Sequence, residues 1–222
     1  MYETRQQKLI NEIRNDRQVD IALIMSPMNI YYYTGFHSEP DERFLAFVID
    51  AKTEKTMLFY PSLDESAAKS QAQVEEFIPM FDTENAYAKF SQKLGTNIQS
   101  IAFEKSYITV LQYEQIKDFY PQVDFFTDIE PFILSERAKK TKSEIEHVKK
   151  AIELTEKGLE NTIKKLVLGM KEIQVKAELE YQLMLLGADK IAFDTIVLSG
   201  ENSALPHGVA SDRELERGDF LR

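Results

Sequence analysis

Cysteine is absent from the 222 residues, so the chain has no disulfide framework and no thiolate to offer a metal ion. That suits a reducing cytoplasm. Basic residues are in deficit, with 27 Lys and Arg against 37 Asp and Glu and a formal net charge of -10. Phosphate backbones demand clustered cations, so no nucleic-acid partner is expected. An acidic surface of this kind mainly promotes solubility. A long apolar run is missing too. Met1 to Asp16 is charged and helical in pattern, without the hydrophobic stretch of a signal peptide or a membrane span, so no membrane is expected. There is no internal repeat and no low-complexity tract, which excludes a solenoid or a disordered tail. What is present is enough apolar material, 43% of residues, to bury a core. The reading is a globular, cytoplasmic protein.

The first half alternates helical and strand-like segments. Leu9, Ile10 and Ile13 lie on one face of a charged helix, and Val19 to Met25 reads as a buried strand. Ser26 is a candidate N-cap with Pro27 at the first helical position, the helix running through Tyr33 and stopping at Gly35. Phe44 to Ile49 and Thr56 to Tyr60 read as a strand pair joined by the polar turn Asp50 to Lys55. Helical patterns over Ser62 to Gln73, Asn85 to Leu94 and Thr109 to Phe119 then alternate with extended ones over Val74 to Pro79, Ser100 to Phe103 and Val123 to Thr127. Such alternation predicts an α/β sandwich with a mixed sheet flanked by helices.

The texture changes near Pro131, which places a domain boundary there and divides the chain into residues 1–130 and 131–222. Thr141 and Glu144 fit a capping box. The helix they open carries Ile145, Val148, Ile152, Leu159, Ile163 and Leu166 on one stripe, a face meant to be covered. Full burial of those six would contribute on the order of 10 to 18 kcal/mol as an upper bound. A second helix is expected from about Lys171 to Leu186, ended by Gly187, and Phe193 to Leu198 reads as a strand entering a loop.

That loop reads Ser-Gly-Glu-Asn-Ser-Ala-Leu-Pro-His-Gly from Ser199 to Gly208. Pro206 fixes its own φ and biases Leu205 towards an extended form, so the imidazole of His207 is presented from a stiff support. A histidine there is able to donate a hydrogen bond to a carbonyl or to shuttle a proton. An exposed or packing imidazole without a role is the other reading of the same residue.

Ser199-Gly200, Asn202, Ala204, Pro206 and His207, followed by Gly218-Asp219, resemble the corresponding run of Xaa-Pro dipeptidases and aminopeptidases P, the creatinase and prolidase type of pita-bread metallopeptidase. Glu136-Arg137-Ala138-Lys139 through Glu144-Ile145 to Lys149-Lys150-Ala151 resembles that family's entry into its first catalytic-domain helix. Ser26-Pro27, Asn29, Tyr33, Gly35 and Phe36 resemble its amino-terminal domain. The resemblance implies a creatinase-type N-terminal domain over 1–130 and an incomplete α+β pita-bread domain over 131–222. It implies a catalytic, substrate-contacting role for His207, which in such enzymes lies beside the metal pair without ligating it. The two aspartates, one histidine and two glutamates of the family's metal site are expected beyond Arg222, so no metal ligand and no cofactor is assigned within this chain. In a full-length parent two divalent ions, manganese or cobalt, are implied. So are a proline-containing dipeptide or short peptide as substrate, and a homodimer.

The expected activity is accordingly hydrolysis of the bond preceding proline by the parent protein, with the 222 residues alone inactive and the region after Pro131 loose or covered by another chain. Aminopeptidase P and creatine amidinohydrolase are alternatives within the family. A metal-free binding or regulatory protein of the same fold is the alternative from another class. Ser199 or Ser203 with His207 suggests a serine hydrolase, but the Gly-x-Ser-x-Gly elbow is missing. His147 lacks the H-E-x-x-H spacing of a zinc helix and reads as a solvated surface residue. His37 reads as a loop residue or as one bordering a neighbouring active site, and Tyr31-Tyr32-Tyr33 as core or interface.

Overall fold

Strands in the middle of a two-sided sandwich need apolar residues on both faces, and the sheet shows this in the burial of every residue from Ile21 to Ile24 and from Thr56 to Pro61. The computed structural model describes residues 1–123 and 125–222. Its strands are β1 (Ile21–Ile24), β2 (Ala46–Asp50), β3 (Thr56–Pro61), β4 (Glu76–Met80), β5 (Ser100–Phe103) and β6 (Phe125–Asp128), in the spatial order β4-β3-β2-β1-β5-β6. The three central strands β1 to β3 pair antiparallel, while β4, β5 and β6 join parallel, so the sheet is mixed. The extended segment expected over Val123 to Thr127 includes Asp124, which lies outside the described residues.

Alternation along the strands sends one set of side chains to each face. Ala22, Ile24, Phe47, Ile49, Leu58 and Tyr60 pack with Leu9, Ile10 and Ile13, with Ile30 and Tyr33, and with Ala68 and Ile133. These come from α1 (Tyr2–Asn11) and the π turn after it, α2 (Pro27–Thr34), α3 (Glu65–Gln71) and α6 (Glu130–Ala138). On the other face Ile21, Leu23, Val48, Met57, Phe59 and Ile101 meet Phe90 of α4 (Ala86–Leu94) and Ile116 of α5 (Val110–Phe119). The result is the α/β sandwich with a mixed sheet flanked by helices.

Local chemistry sets the element ends. Asn85 accepts from the Ala88 amide at 2.9 Å and Thr109 forms a capping box with Gln112. Gly35 ends α2 in the left-handed conformation, φ 86°. Ser26 does not cap α2 with its side chain. The buried carboxylate of Glu104, arriving from the end of β5, instead accepts from the amides of Met25 and Ser26, just before the helix, at 2.7 and 2.9 Å. The N-terminus of a helix favours an anion nearby, so Glu104 complements the start of α2 without replacing a side-chain N-cap.

The chain divides into two compact units, Met1–Lys139 and Lys140–Arg222. The second opens with α7 (Lys142–Ile163), started by the Thr141/Glu144 capping box, and continues with α8 (Glu172–Leu185). The face that α7 turns to α8 is a different one from its apolar stripe. Gly158 and Thr162 are the buried residues of α7, and Leu183 packs on Gly158. Ile145, Val148, Ile152, Leu159 and Ile163 are each more than 40% exposed. The strand expected over Phe193 to Leu198 is also corrected. That segment carries no ladder, because a strand needs a paired neighbour and pairing here is confined to a bridge between Ser199 and Leu221. Among the described residues no helix is long and apolar enough to cross a membrane.

Candidate functional site

The loop carrying His207 is built around a carboxylate the sequence did not single out. Glu172 is the first residue of α8 and fully buried. Its Oε1 accepts from the Ser199 amide at 2.6 Å, the Ser199 hydroxyl at 2.9 Å and the Asn202 side-chain amide at 3.2 Å. Its Oε2 accepts from the Ser211 amide at 3.0 Å and the Ser211 hydroxyl at 2.6 Å. An ionised carboxylate offers about four lone-pair positions, so this one is fully engaged. Burial alone would raise its pKa. The Ser211 hydroxyl, the Ser199 and Ser211 amides and the Asn202 side chain outweigh that and hold it at about 2.

A second pair closes the loop's base. Arg213 Nη1 donates to Asp219 Oδ2 at 2.6 Å and Nη2 to Oδ1 at 3.1 Å, a bidentate fork. The same Nη1 donates to the Ser199 hydroxyl at 2.7 Å, so a chain of hydrogen bonds links Asp219 through Arg213 and Ser199 to Glu172. The Arg213 guanidinium holds the Asp219 carboxyl below its ordinary value, with help from the Glu216 amide. Gly200 passes directly over this pair with φ +52°, and a Cβ there would lie 2.8 Å from Asp219 Oδ1 and closer still to Arg213. Two backbone hydrogen bonds between Leu198 and Arg222, at 3.0 and 2.9 Å, and one from Gly200 to the Phe220 carbonyl at 3.0 Å, fasten the segment. Beneath it Val175, Val197 and Leu215 form a small apolar cluster with Leu166, Met170 and Ala210.

From this base the chain rises through a 3-10 turn, Gly200–Ala204, in which the Ser203 hydroxyl donates to the Gly200 carbonyl at 2.6 Å. Leu205 is extended, φ -84° and ψ 112°, as a residue before proline should be. His207 follows, exposed. The structure therefore presents its imidazole to solvent at the crest of a braced loop. Ser199 is buried and donates to Glu172, so the serine-hydrolase pairing with His207 finds no geometric support.

The remaining histidines have surroundings of their own. His147 is exposed on α7. His37 lies edge-on to Tyr31 at 5.9 Å and 3.6 Å from Glu39. Tyr33 is core, stacked on Phe47 at 5.9 Å, whereas Tyr31 is exposed. Among the described residues no group of three or more His, Asp or Glu is gathered to hold a metal ion. Taken by themselves, these residues do not fit a divalent metal centre.

Sequence reasoning found Ser199, Gly200, Asn202 and Asp219 as parts of a pattern, and missed Glu172, Ser211 and Arg213. A glutamate in the first turn of a helix is ordinary because it suits the helix dipole, so nothing local marks Glu172 as different.

Comparison with known proteins accounts for both units. The family described as Creatinase/Prolidase N-terminal domain matches residues 5–139, and Metallopeptidase family M24 matches residues 146–222. The chain belongs to the creatinase/prolidase family of metallopeptidases. A relative named as an uncharacterized peptidase of Staphylococcus saprophyticus is 36% identical over 212 residues, 96% of this chain and 59% of the relative. The prolidase of Pyrococcus horikoshii superposes with a TM-score of 0.85 at 31% identity, over 98% of this chain and 59% of that one. An Xaa-Pro dipeptidase from Bacillus anthracis gives 0.82 at 27% identity, with the same shares of 98% and 59%. The chain thus spans about three fifths of the length of the curated relatives it matches.

Proposed function

We propose that this chain serves hydrolysis of the peptide bond preceding proline, as part of an Xaa-Pro dipeptidase, and that His207 is its substrate-side catalytic residue. One observation carries the reading. The loop that joins the family's Ser-Gly-x-Asn-x-x-x-Pro-His pattern to a rigid polar base delivers an exposed imidazole. An imidazole N–H held there donates to the carbonyl oxygen of a bound peptide and, more strongly, to the oxyanion that forms when that carbonyl is attacked. The preference for a dipeptide over a longer peptide is supported by neighbours described as prolidases and as an Xaa-Pro dipeptidase.

The divalent ions implied by family membership are proposed for the protein at the length of its relatives. Among the described residues no metal-holding group is gathered, so the role proposed for this chain is that of His207. In this reading the 222 residues alone do not hydrolyse an Xaa-Pro dipeptide.

The test is steady-state kinetics on the chain carried to the length of its relatives, with Xaa-Pro and Xaa-Ala dipeptides compared. The Xaa-Pro substrate should be preferred, and His207→Ala should lower kcat/KM by about 10² to 10³, the scale of one lost oxyanion donor. Equal turnover of both dipeptides, or full activity in His207→Ala, would overturn the proposal.

A further inference from the structure

A loop that presents a reacting group is useful only if its two ends are fixed relative to one another, and here both ends converge on one side chain. Ser199 and Asn202 precede His207 by eight and five residues, and Ser211 follows it by four. All three donate to Glu172, the early pair mainly to Oε1 and Ser211 to Oε2. The backbone repeats the connection: the Glu172 amide donates to the Arg213 carbonyl at 3.0 Å and the Ile173 amide to the Ser211 carbonyl at 3.1 Å. Glu172 is anchored in turn as the first residue of a helix of 14 residues.

Resting on the substrate-side reading of His207, we propose that Glu172 is the positioning residue of the His207 loop, a carboxylate staple that closes residues 199–211 into a fixed arch. Glu172 does not reach substrate. It sets where the imidazole stands. The staple needs an acceptor at both oxygens, because every group facing it is a donor. Glutamine has the same shape but would turn an N–H₂ group towards the backbone amide of Ser199 or Ser211, setting donor against donor at one end of the arch. Arg213 and Asp219 lie on the outer side of Ser199 and brace that end without touching Ser211 through their side chains.

The experiment separates this proposal from the reading it rests on. On the 222-residue chain, amide hydrogen exchange is followed in wild type, Glu172→Gln and Ser211→Ala. Exchange across residues 200–210 should accelerate more than tenfold in Glu172→Gln and by less in Ser211→Ala, while the middle turns of α7 and α8 keep their protection. Unchanged exchange in 200–210 overturns the proposal. So does loss of protection throughout the unit in both variants, since that marks Glu172 as a general stability element. In the chain at the relatives' length, Glu172→Gln should lower kcat about tenfold with KM nearly unchanged, and should change kcat less than twofold when His207→Ala is already present. An equal loss in both backgrounds overturns the positioning role. Full activity of His207→Ala on its own defeats the substrate-side reading, and the exchange result then still decides whether Glu172 holds the arch.

Discussion

Arg137 Nη1 donates to Asn29 Oδ1 at 2.6 Å, joining two residues 108 positions apart. Asn29 in turn donates through its Nδ2 to the buried carboxylate of Glu104, which also accepts from the Met25 and Ser26 amides just before α2. Two of the stretches that carry the family resemblance, one from Ser26 and one from Glu136, are therefore in contact through a polar relay inside the first unit. Arg137, placed by its sequence context at the entry to a catalytic-domain helix, works here on the other side of that junction. It holds the last helix of the first unit against α2.

The relay predicts a ranking of mutants. Glu104→Ala leaves the Met25 and Ser26 amides and the Asn29 side chain without their acceptor, which should cost about 2 to 4 kcal/mol of stability in the first unit. Arg137→Ala removes one charge-assisted hydrogen bond from a partly solvated site and should cost only about 1 kcal/mol. Urea unfolding, read by amide exchange in β1 and β5, checks the order. An Arg137 variant less stable than the Glu104 variant would reverse the assignment.

The two buried carboxylates also respond to pH with opposite signs. Glu172 is held at about 2 against an ordinary value of 4.5, so the unfolded chain binds the extra proton. Its contribution is fully present above pH 4.5 and is lost as pH falls towards 2. Burial raises Glu104 above its ordinary value despite the hydrogen bonds from Asn29, Ser26 and Met25. The native state then binds the extra proton, and this group's contribution weakens as pH rises from about 4.5 through its raised folded value. Acidification from pH 6 to 3 should therefore loosen the His207 loop before the sheet. Exchange protection of the Ser199 and Ser211 amides, compared with those of β1, measures this, and earlier loss in the sheet would contradict it.

Much of this architecture was legible because local signals agreed with one another. The strand Ser100–Phe103, the helix after Thr109 and the cap at Thr141 follow from apolar patterns and, at Thr141, from side chains that satisfy free amides. What could not be read was tertiary. The acceptor for the amides just before α2 is Glu104, 78 residues beyond Ser26, and the anchor of the His207 loop is Glu172, whose partners lie 27 to 39 residues away. The contact between α7 and α8 was hidden for a similar reason. Periodicity identifies a face that resembles an interface, yet α8 packs where Gly158 lets the two helices approach. A glycine inside a helix signals close contact as readily as a row of isoleucines does, and it carries no hydrophobic mark.

Gly200 and Gly169 both have positive φ, +52° and +82°, but only Gly200 has neighbours where a Cβ would stand. Gly169→Ala should cost about 1 kcal/mol, the penalty of the left-handed conformation alone. Gly200→Ala adds a collision with the Arg213–Asp219 pair and should cost about 2 to 4 kcal/mol, because the fork must open to admit the methyl group. Thermal melting of the two variants gives the comparison. Equal losses would mean that the fork moves freely and does not brace Ser199.

Gly158 offers the sharpest test of how the second unit is packed. Alanine is favoured over glycine within a helix by about 1 kcal/mol, so on propensity alone Gly158→Ala should stabilise α7. A Cβ at this position would lie 2.6 Å from Leu183 Cδ2 and 3.1 Å from its Cγ, so Leu183 must shift or the helices must part. Overpacking of this size costs about 1 to 3 kcal/mol and should outweigh the propensity gain, making Gly158→Ala destabilising by about 1 kcal/mol. Shortening the opposing side chain relieves the collision, so Gly158→Ala with Leu183→Val should be more stable than the sum of the two single changes by about 1 kcal/mol. A double-mutant cycle in urea measures that coupling. Additive effects would show that Leu183 swings aside without resistance, and that contact between α7 and α8 is not set at Gly158.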